Sequence, residues 1–398
     1  MLQRFVNLLI YLVALLLPAY LVRFEIFSLP TNLLELIIIV LLAGWLILKI
    51  SSALLQFKGS AFFYPIFLIF FGLTLATLFS ADLRTSAGIW KSWFIVPWFY
   101  LIILVDSLPA RKQVNRLLTA LTLSGLGVAL IALAYWLNGQ LTYDGRLKAF
   151  YLSPNHLAMY LSPLLIISFY LYFCLKSRFF KILLLVVDCL LLLTIFLTYS
   201  YGAWLGLLAA FIFLLIVLWP KRTRLKELRT GLTAISLIFL IFVLAILSQI
   251  PSQKFQSLAD LSYPSLESRL IIWQSAWRIA IDHPWLGIGP GLFQEYYLNY
   301  QNQMLPYLEW AVPQPHNLFL AFWLQTGLVG LTGFIWLLIL FFRQIKSSHL
   351  ISYFLMAAMI YLLAHGLVDT TYWKNDLSII FWLLIGLSFN RLIWLRRE

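Results

Sequence analysis

The chain has 398 residues, of which 63% are hydrophobic and 11% charged, with a mean hydropathy of +0.92. Soluble domains carry nearer ~25% charged residues, so a water-soluble enzyme or binding module is excluded. The net charge of +13 would ordinarily invite nucleic acid, but its placement along the chain reads as membrane topology, and no nucleic-acid partner is expected.

Apolar runs long enough to cross a bilayer as helices recur along the whole length, without the alternation of a β-barrel. Helices satisfy their own backbone hydrogen bonds in lipid. The sequence therefore predicts an all-α integral membrane protein with about twelve transmembrane helices, forming a single polytopic domain over 1–398. The spans fall at 5–22, 31–48, 62–80, 88–105, 117–137, 156–175, 180–198, 202–219, 232–249, 316–342, 349–367 and 377–394. The seventh and eighth form one apolar run broken only at Tyr199-Ser200-Tyr201-Gly202. Reading them as one long bent segment would give the rest of the chain the wrong sidedness. With the N-terminus inside, 19 of the 28 basic residues lie on the inner side, among them Arg111, Lys112, Arg116, Lys221 and Arg397. The other nine lie outside: Arg23, Arg84, Lys91, Arg146, Lys148, Lys254, Arg269, Arg278 and Lys374. This bias follows the positive-inside rule and puts both termini in the cytoplasm. Glu35 and Asp188 are the acids expected within spans. Cys174 and Cys189 show neither metal-ligand spacing nor a plausible disulfide. The first span could pass for a signal peptide's apolar core, but the small-residue cleavage signal after it is poor, so it is expected to be retained.

Two outer loops are long: 138–155, and 250–315, the longest polar stretch. The first part of the second, "PSLESRLIIWQSAWRIAIDHP", reads as an amphipathic helix. Ser265 is its cap, Leu266, Leu270, Trp273, Trp277 and Ala280 form one apolar face, and Pro284 is the stop. "GIGPG" is a glycine-rich turn, and "LFQEYYLNYQNQM" a second helix. The pair is expected on the outer membrane surface, with Trp and Tyr at headgroup depth. A phosphate-loop reading of "GIGPG" fails because no Lys-Ser/Thr follows and no strand precedes it.

Several residues are candidates for chemistry. Arg269 lies near the start of the outer helix and Arg146, beside Lys148, in the other outer loop. A guanidinium holds diphosphate through paired charge-assisted hydrogen bonds and stabilises it as a leaving group. The alternative is that each arginine solvates a loop or pairs with Glu267 or Asp144. Arg278 and Lys148 are further diphosphate candidates. His316, at the outer end of the tenth span, is the candidate for proton transfer, since its reference pKa lies near neutrality. The alternative is an interfacial hydrogen-bonder, and Asn317 beside it can cap the helix. Asp369 ends the eleventh span, where a carboxylate opposes the helix dipole and calls for a compensating cation. His365, one turn earlier, makes a His–Asp metal pair conceivable, but two ligands are too few, so no metal and no cofactor is expected. Asp188 is a functional candidate as an intramembrane charge or lies in a polar pocket. His156 starts a span, and His283 helps to end its helix.

"SRLIIWQSAWRIAIDHPWLGIGPGLF" followed by "PHNLFLAFWLQTGLVGLTGFIWLL" resembles the signature region of the O-antigen ligase and polymerase family. "GRLKAFYLSPNHLAMYL" is similar to that family's Arg…Phe…Asn-Pro-Asn…Leu-Ala segment, and "HGLVDTTYWKND" to its closing periplasmic turn. The resemblance implies a GT-C type membrane glycosyltransferase. Such an enzyme passes a glycan from undecaprenyl diphosphate to a lipid or glycan acceptor on the periplasmic face of the bacterial inner membrane. It inverts the anomeric centre and needs neither metal nor nucleotide sugar. It also implies functional roles for Arg146, Arg269 and His316, and for Asp369 as the late acidic residue. Ser153-Pro154-Asn155 replaces the more usual Asn-Pro-Asn, and Tyr201 stands where many relatives carry Arg. Within the family, a polymerase of repeat units is the alternative to a ligase. A small-anion transporter such as one for bicarbonate is the rival of another class. It would place polar residues along several mid-membrane spans, whereas here they gather on one face.

Overall fold

The computed structural model describes residues 2–26, 29–48, 61–221, 226–250, 264–302, 309–345 and 349–389. They form helices α1 (Leu2–Leu15), α2 (Leu33–Leu48), α3 (Phe63–Leu78), α4 (Leu83–Ile89), α5 (Val96–Ser107), α6 (Arg111–Leu137), α7 (Pro154–Cys174) and α8 (Arg178–Leu197). These are followed by α9 (Tyr201–Leu218), α10 (Lys226–Leu247), α11 (Pro264–Asp282), α12 (Phe293–Gln301), α13 (Leu318–Gln344), α14 (Leu350–Gly366) and α15 (Asn375–Phe389). Each apolar segment expected from the sequence overlaps at least one of them, and residues 390–394 of the last lie outside the described residues. Among the described residues, seven helices are long and apolar enough to cross a membrane: α4–α5 taken together, α6, α7, α8, α9, α10 and α13. Helices α1, α2, α3, α14 and α15 are apolar but only 10–17 residues long.

The exposed surface is as informative as the core. Helix α8 leaves Phe179, Ile182 and Val186 exposed, and α10 leaves Leu237, Ile241 and Leu244 exposed. Rows of this kind need an apolar solvent, and a helix with its backbone bonds closed is the form that tolerates one. Helix α7 is the opposite case, buried nearly all round, with α6, α8 and α14 packed against it.

Close helix crossings occur where side chains are small, as membrane helices require. A Cβ on Gly72 of α3 would stand 2.6 Å from both the Gly330 nitrogen and the Thr326 carbonyl oxygen of α13. One on Gly202 or Gly206 of α9 would meet His365 and Tyr361 of α14 at 2.8 and 2.9 Å.

Four sequence expectations need correction. The first apolar span does not stay helical to residue 22: α1 ends at Leu15, and a 3₁₀ turn around Pro18 leads into an antiparallel hairpin pairing Arg23–Ile26 with Leu29–Asn32. Among the described residues the all-α description holds apart from this hairpin. The fourth span starts earlier, at Leu83, because Asp82 caps it through the Thr85 amide (3.1 Å), and a π-helical stretch, Trp90–Ile95, joins α4 to α5. Glu35 is not a lone intramembrane charge. It sits in the first turn of α2, buried, with the Lys91 ammonium 2.9 Å from its carboxylate. Finally, α11 buries Ile272, Ala276 and Ile279, and of the described part of the expected stripe only Ala280 is buried with them and Trp273 packs against them, while Leu270 and Trp277 are exposed. The expected stripe is a real periodicity turned partly away from the core. The side chains of Ser265 and Leu266, and with them the expected Ser265 cap, lie outside the described residues.

The "GIGPG" turn has a structural task. Gly327 (φ +67°, ψ 179°) breaks α13 in its first half, and the turn fills the break. Ile288 N donates to Leu324 O at 2.7 Å and Leu328 N to Pro284 O at 2.9 Å. Gly287, Gly289 and Gly291 all have positive φ, and a Cβ on Gly287 would lie 2.2 Å from Leu324 O.

Candidate functional site

The site forms at one end of the bundle, where the α6–α7 loop, the α8–α9 turn, α11, the start of α13 and the end of α14 meet. The residues between α8 and α9 form a turn that separates the two helices, with Tyr199 at φ +47°. The α6–α7 loop lies against that turn: Leu147 N donates to Leu197 O (3.0 Å) and Arg146 Nε to Thr198 O (2.8 Å).

Asp369 is the hub. It follows α14, its amide bonded to the His365 carbonyl, and is 3% exposed. Its Oδ1 lies 3.1 Å from His316 Nδ1 and accepts from the Thr370 amide at 2.8 Å. Its Oδ2 accepts from Asn155 Nδ2 at 2.8 Å and lies 3.9 Å from Arg269 Nη2. Burial by itself pushes this carboxyl up, but His316 and Arg269 outweigh it and hold Asp369 well below the usual carboxylate range. A carboxylate only accepts hydrogen bonds, so His316 Nδ1 carries the proton facing it, and in the neutral imidazole the lone pair is on Nε2. The helix dipole that opposes Asp369 is thus compensated by two basic side chains from elsewhere in the chain.

His316 owes its place to its neighbours. Asn317 caps α13 by accepting from the Phe319 and Leu320 amides, both at 3.0 Å, and donates to Leu367 O. Its predicted capping role is therefore observed. His316 adopts φ +46°, and Trp273 Nε1 from α11 donates to its carbonyl at 3.1 Å. Ala149, Tyr199 and His316 are the non-glycine residues with positive φ among those described, and all three adjoin the site. Such backbone persists where surrounding contacts over-determine it, and it clusters at functional sites.

The two arginines differ. Arg269 is 20% exposed, and its partner among the described residues is Asp369 at 3.9 Å, which leaves its planar fork available to a ligand. Arg146 is tied down: beyond Thr198, its Nη2 donates to Asn155 Oδ1 at 2.6 Å, and Asp144 lies 3.9 Å from its Nε. That contact with Asp144 matches the plainer sequence reading. Lys148 is half-buried and Arg278 exposed, and neither forms an ion pair with a described residue. The structure does not bring them to Asp369.

His365 hydrogen-bonds through Nδ1 to the Tyr361 hydroxyl (2.9 Å). Among the described residues no group of three or more His, Cys, Asp or Glu side chains could hold a metal ion. Asp188 lies mid-helix in α8, fully buried, and accepts from the Ser168 hydroxyl. It stands ten residues before Thr198, about 15 Å along the axis at ~1.5 Å per residue, so it is not part of this cluster. His283 ends α11 through its amide bond to Ile279 O (3.0 Å).

Sequence reasoning missed two features. One is Asn155, which joins Arg146 to Asp369. The other is the buried pair of His156 Nε2 with Asp376 Oδ1 (3.2 Å), to which the Tyr20 hydroxyl adds a contact at 3.4 Å. Adjacent residues in the first turn of α7 thus grip two carboxylates seven residues apart. The local signals were an Asn-His pair just past a proline at a helix start and, for Asn155, its place in the Ser153-Pro154-Asn155 stretch.

Residues 184–335 match the family model described as O-antigen ligase (Wzy_C). The match includes Arg269 and His316, and Arg146 and Asp369 lie outside it. No curated protein matches the chain.

Proposed function

We propose that this O-antigen ligase-family chain is an inverting membrane glycosyltransferase that moves a glycan from undecaprenyl diphosphate to a hydroxyl of a lipid or glycan acceptor. The observation that carries the reading is the gathering of His316, Arg269 and, through Asn155, Arg146 around the one carboxylate of Asp369. The chain crosses the inner membrane of a bacterial cell twelve times with both termini in the cytoplasm, and this end of the bundle faces the periplasm. The loops 138–155 and 250–315 lie on that side, and α11 rests its exposed Leu270, Trp277 and Ile281 at the headgroups.

The lipid tail stays in the bilayer and the diphosphate meets the open fork of Arg269. Arg146 adds positive field from its fixed position. Asp369 holds His316 in the tautomer whose Nε2 accepts a proton, the division of labour of a His–Asp pair in acyl transfer. The acceptor hydroxyl gives its proton to Nε2 and its oxygen attacks the anomeric carbon. The bond from that carbon to the diphosphate oxygen breaks with inversion, and undecaprenyl diphosphate leaves with its growing charge stabilised by the arginines. No step calls on a metal or a nucleotide sugar.

The test is transfer in proteoliposomes holding the purified chain, an undecaprenyl-diphosphate glycan and candidate acceptors. A new glycoconjugate, with undecaprenyl diphosphate released in equal amount, is the expected result. A product extended by one glycan block per acceptor marks a ligase, and a ladder of repeat units marks a polymerase. Folded protein that gives no transfer with any acceptor overturns the reading, and a flux assay with small anions then follows.

A further inference from the structure

We infer that Asn155 is a positioning residue that locks Arg146 and the His316–Asp369 pair into one unit. The inference rests on the transferase reading above and deepens it.

The argument begins with the polarity of a primary amide. Its oxygen accepts and its nitrogen donates, so a half-buried Asn between two groups has a preferred direction only if those groups differ. At Asn155 they differ as much as possible. Oδ1 faces a guanidinium, with Arg146 Nη2 at 2.6 Å, and Nδ2 faces a carboxylate, with Asp369 Oδ2 at 2.8 Å. Turning the amide over would set oxygen against carboxylate and NH₂ against guanidinium, losing both charge-assisted bonds and creating two repulsions. The amide is therefore fixed by its ends, and in turn it fixes them.

Each end is a hub. On one side, Arg146 is held through Nε to Thr198 O, which ties the α6–α7 loop to the α8–α9 turn. On the other, Asp369 joins His316, Arg269 and the Thr370 amide. The Asn155 side chain contacts both hubs directly. Its own position is rigid: Ser153 caps α7, accepting from the His156 amide at 3.2 Å, and His156 is anchored in the buried pair with Asp376. A ligand that draws on Arg146 thereby acts on Asp369 and on the orientation of His316.

The isosteric replacement Asn155→Asp separates positioning from packing. It keeps the acceptor for Arg146 but turns a donor to Asp369 into a second carboxylate. Two carboxylates in contact cannot both ionise freely, so one takes a proton at a higher pH. Infrared pH-difference spectroscopy of the purified chain in lipid reads the protonated carboxyl band, which Asp369→Asn assigns. The expected result is a band that appears about one pH unit or more higher in Asn155→Asp than in the wild type. In transfer, kcat falls about tenfold or more and the acid limb of the pH profile moves up by the same step. Should Asn155→Asp not fold, Asn155→Ala serves, since loss of the Nδ2 donor also moves the band upward. An unmoved band in whichever variant folds overturns the inference, and so does a moved band with an unchanged pH profile and kcat. The infrared reading needs no substrate. A wild type without transferase activity therefore counts against the functional reading, while the band still decides the coupling.

Discussion

His316 Nδ1 and Asp369 Oδ1 stand 3.1 Å apart although 53 residues separate them in the chain. The contact makes one imidazole nitrogen a donor to protein and leaves the other for substrate. Replacing His316 with Ala should lower transfer about 10²- to 10⁴-fold, the usual contribution of a positioned base. The protein should still elute as a single folded species from a sizing column, and transfer within twofold of wild type would remove His316 from the chemistry.

Asp369→Asn should cut kcat by about 10²-fold or more, because an amide can accept from Nδ1–H of one His316 tautomer or donate to Nδ1 of the other and no longer selects one. A stability effect follows from the depressed carboxyl. A group whose folded pKa lies below its ordinary value of 3.8 adds stability that is fully present above about pH 4 and is lost as pH falls further. Thermal unfolding should show a gap between wild type and Asp369→Asn that narrows below about pH 4. A constant gap would show that the ionic contacts of Asp369 contribute nothing.

Arginine-to-lysine changes should separate the two arginines. Arg146 uses Nε and Nη2 on two partners at once, a geometry that one ammonium cannot reproduce. Arg146→Lys should therefore lower both kcat and the unfolding temperature. Arg269 makes one long ion pair, so Arg269→Lys should raise the donor KM about tenfold with little change in thermal stability. Paired kinetics and melts of the two variants check this, and the reverse pattern would exchange their roles.

Gly327→Ala should be severe. The new Cβ would stand 1.9 Å from Trp285 O, on a residue with φ +67°, and the "GIGPG" turn would be pushed out of the α13 break. A loss of more than ~3 kcal/mol, or failure to recover folded protein, is expected. Gly88→Ala is the control, since nothing lies within 4 Å of its Cβ position. Its melting temperature should match or exceed the wild type's, as Ala favours a helix.

Sidedness is open to chemical labelling. In a background with Cys174 and Cys189 replaced by Ala, an impermeant thiol reagent added to intact spheroplasts should label Tyr143→Cys, whose native side chain is fully exposed. It should label Lys112→Cys only after lysis. Labelling of both from outside would overturn the twelve-span arrangement.

Much of this protein is dictated locally. Which segments become helices follows from runs of apolar residues, and the capping of α13 by Asn317 and the end of α11 before Pro284 follow from their nearest neighbours. The candidates Arg269, His316 and Asp369 were legible as unusual polar residues next to apolar helices. Local signals misled where they were real but their burial was decided elsewhere. The Leu270–Trp277 stripe has helical spacing, yet α11 turns Ile272 and Ile279 inward because α13 offers its surface there. Glu35 lies within an apolar run, yet Lys91 from the π-helical turn neutralises it. What the tertiary structure alone decided is pairing. Asp369 could have met any cation, and it meets His316, Arg269 and the amide of Asn155, because a buried carboxylate demands partners and only helix packing brings those three from separate elements to within 4 Å. Composition fixes the solvent a chain must live in and periodicity fixes its helices, but hydrogen bonds act over a few ångströms, and the distances between remote residues are set by the packing of the whole bundle.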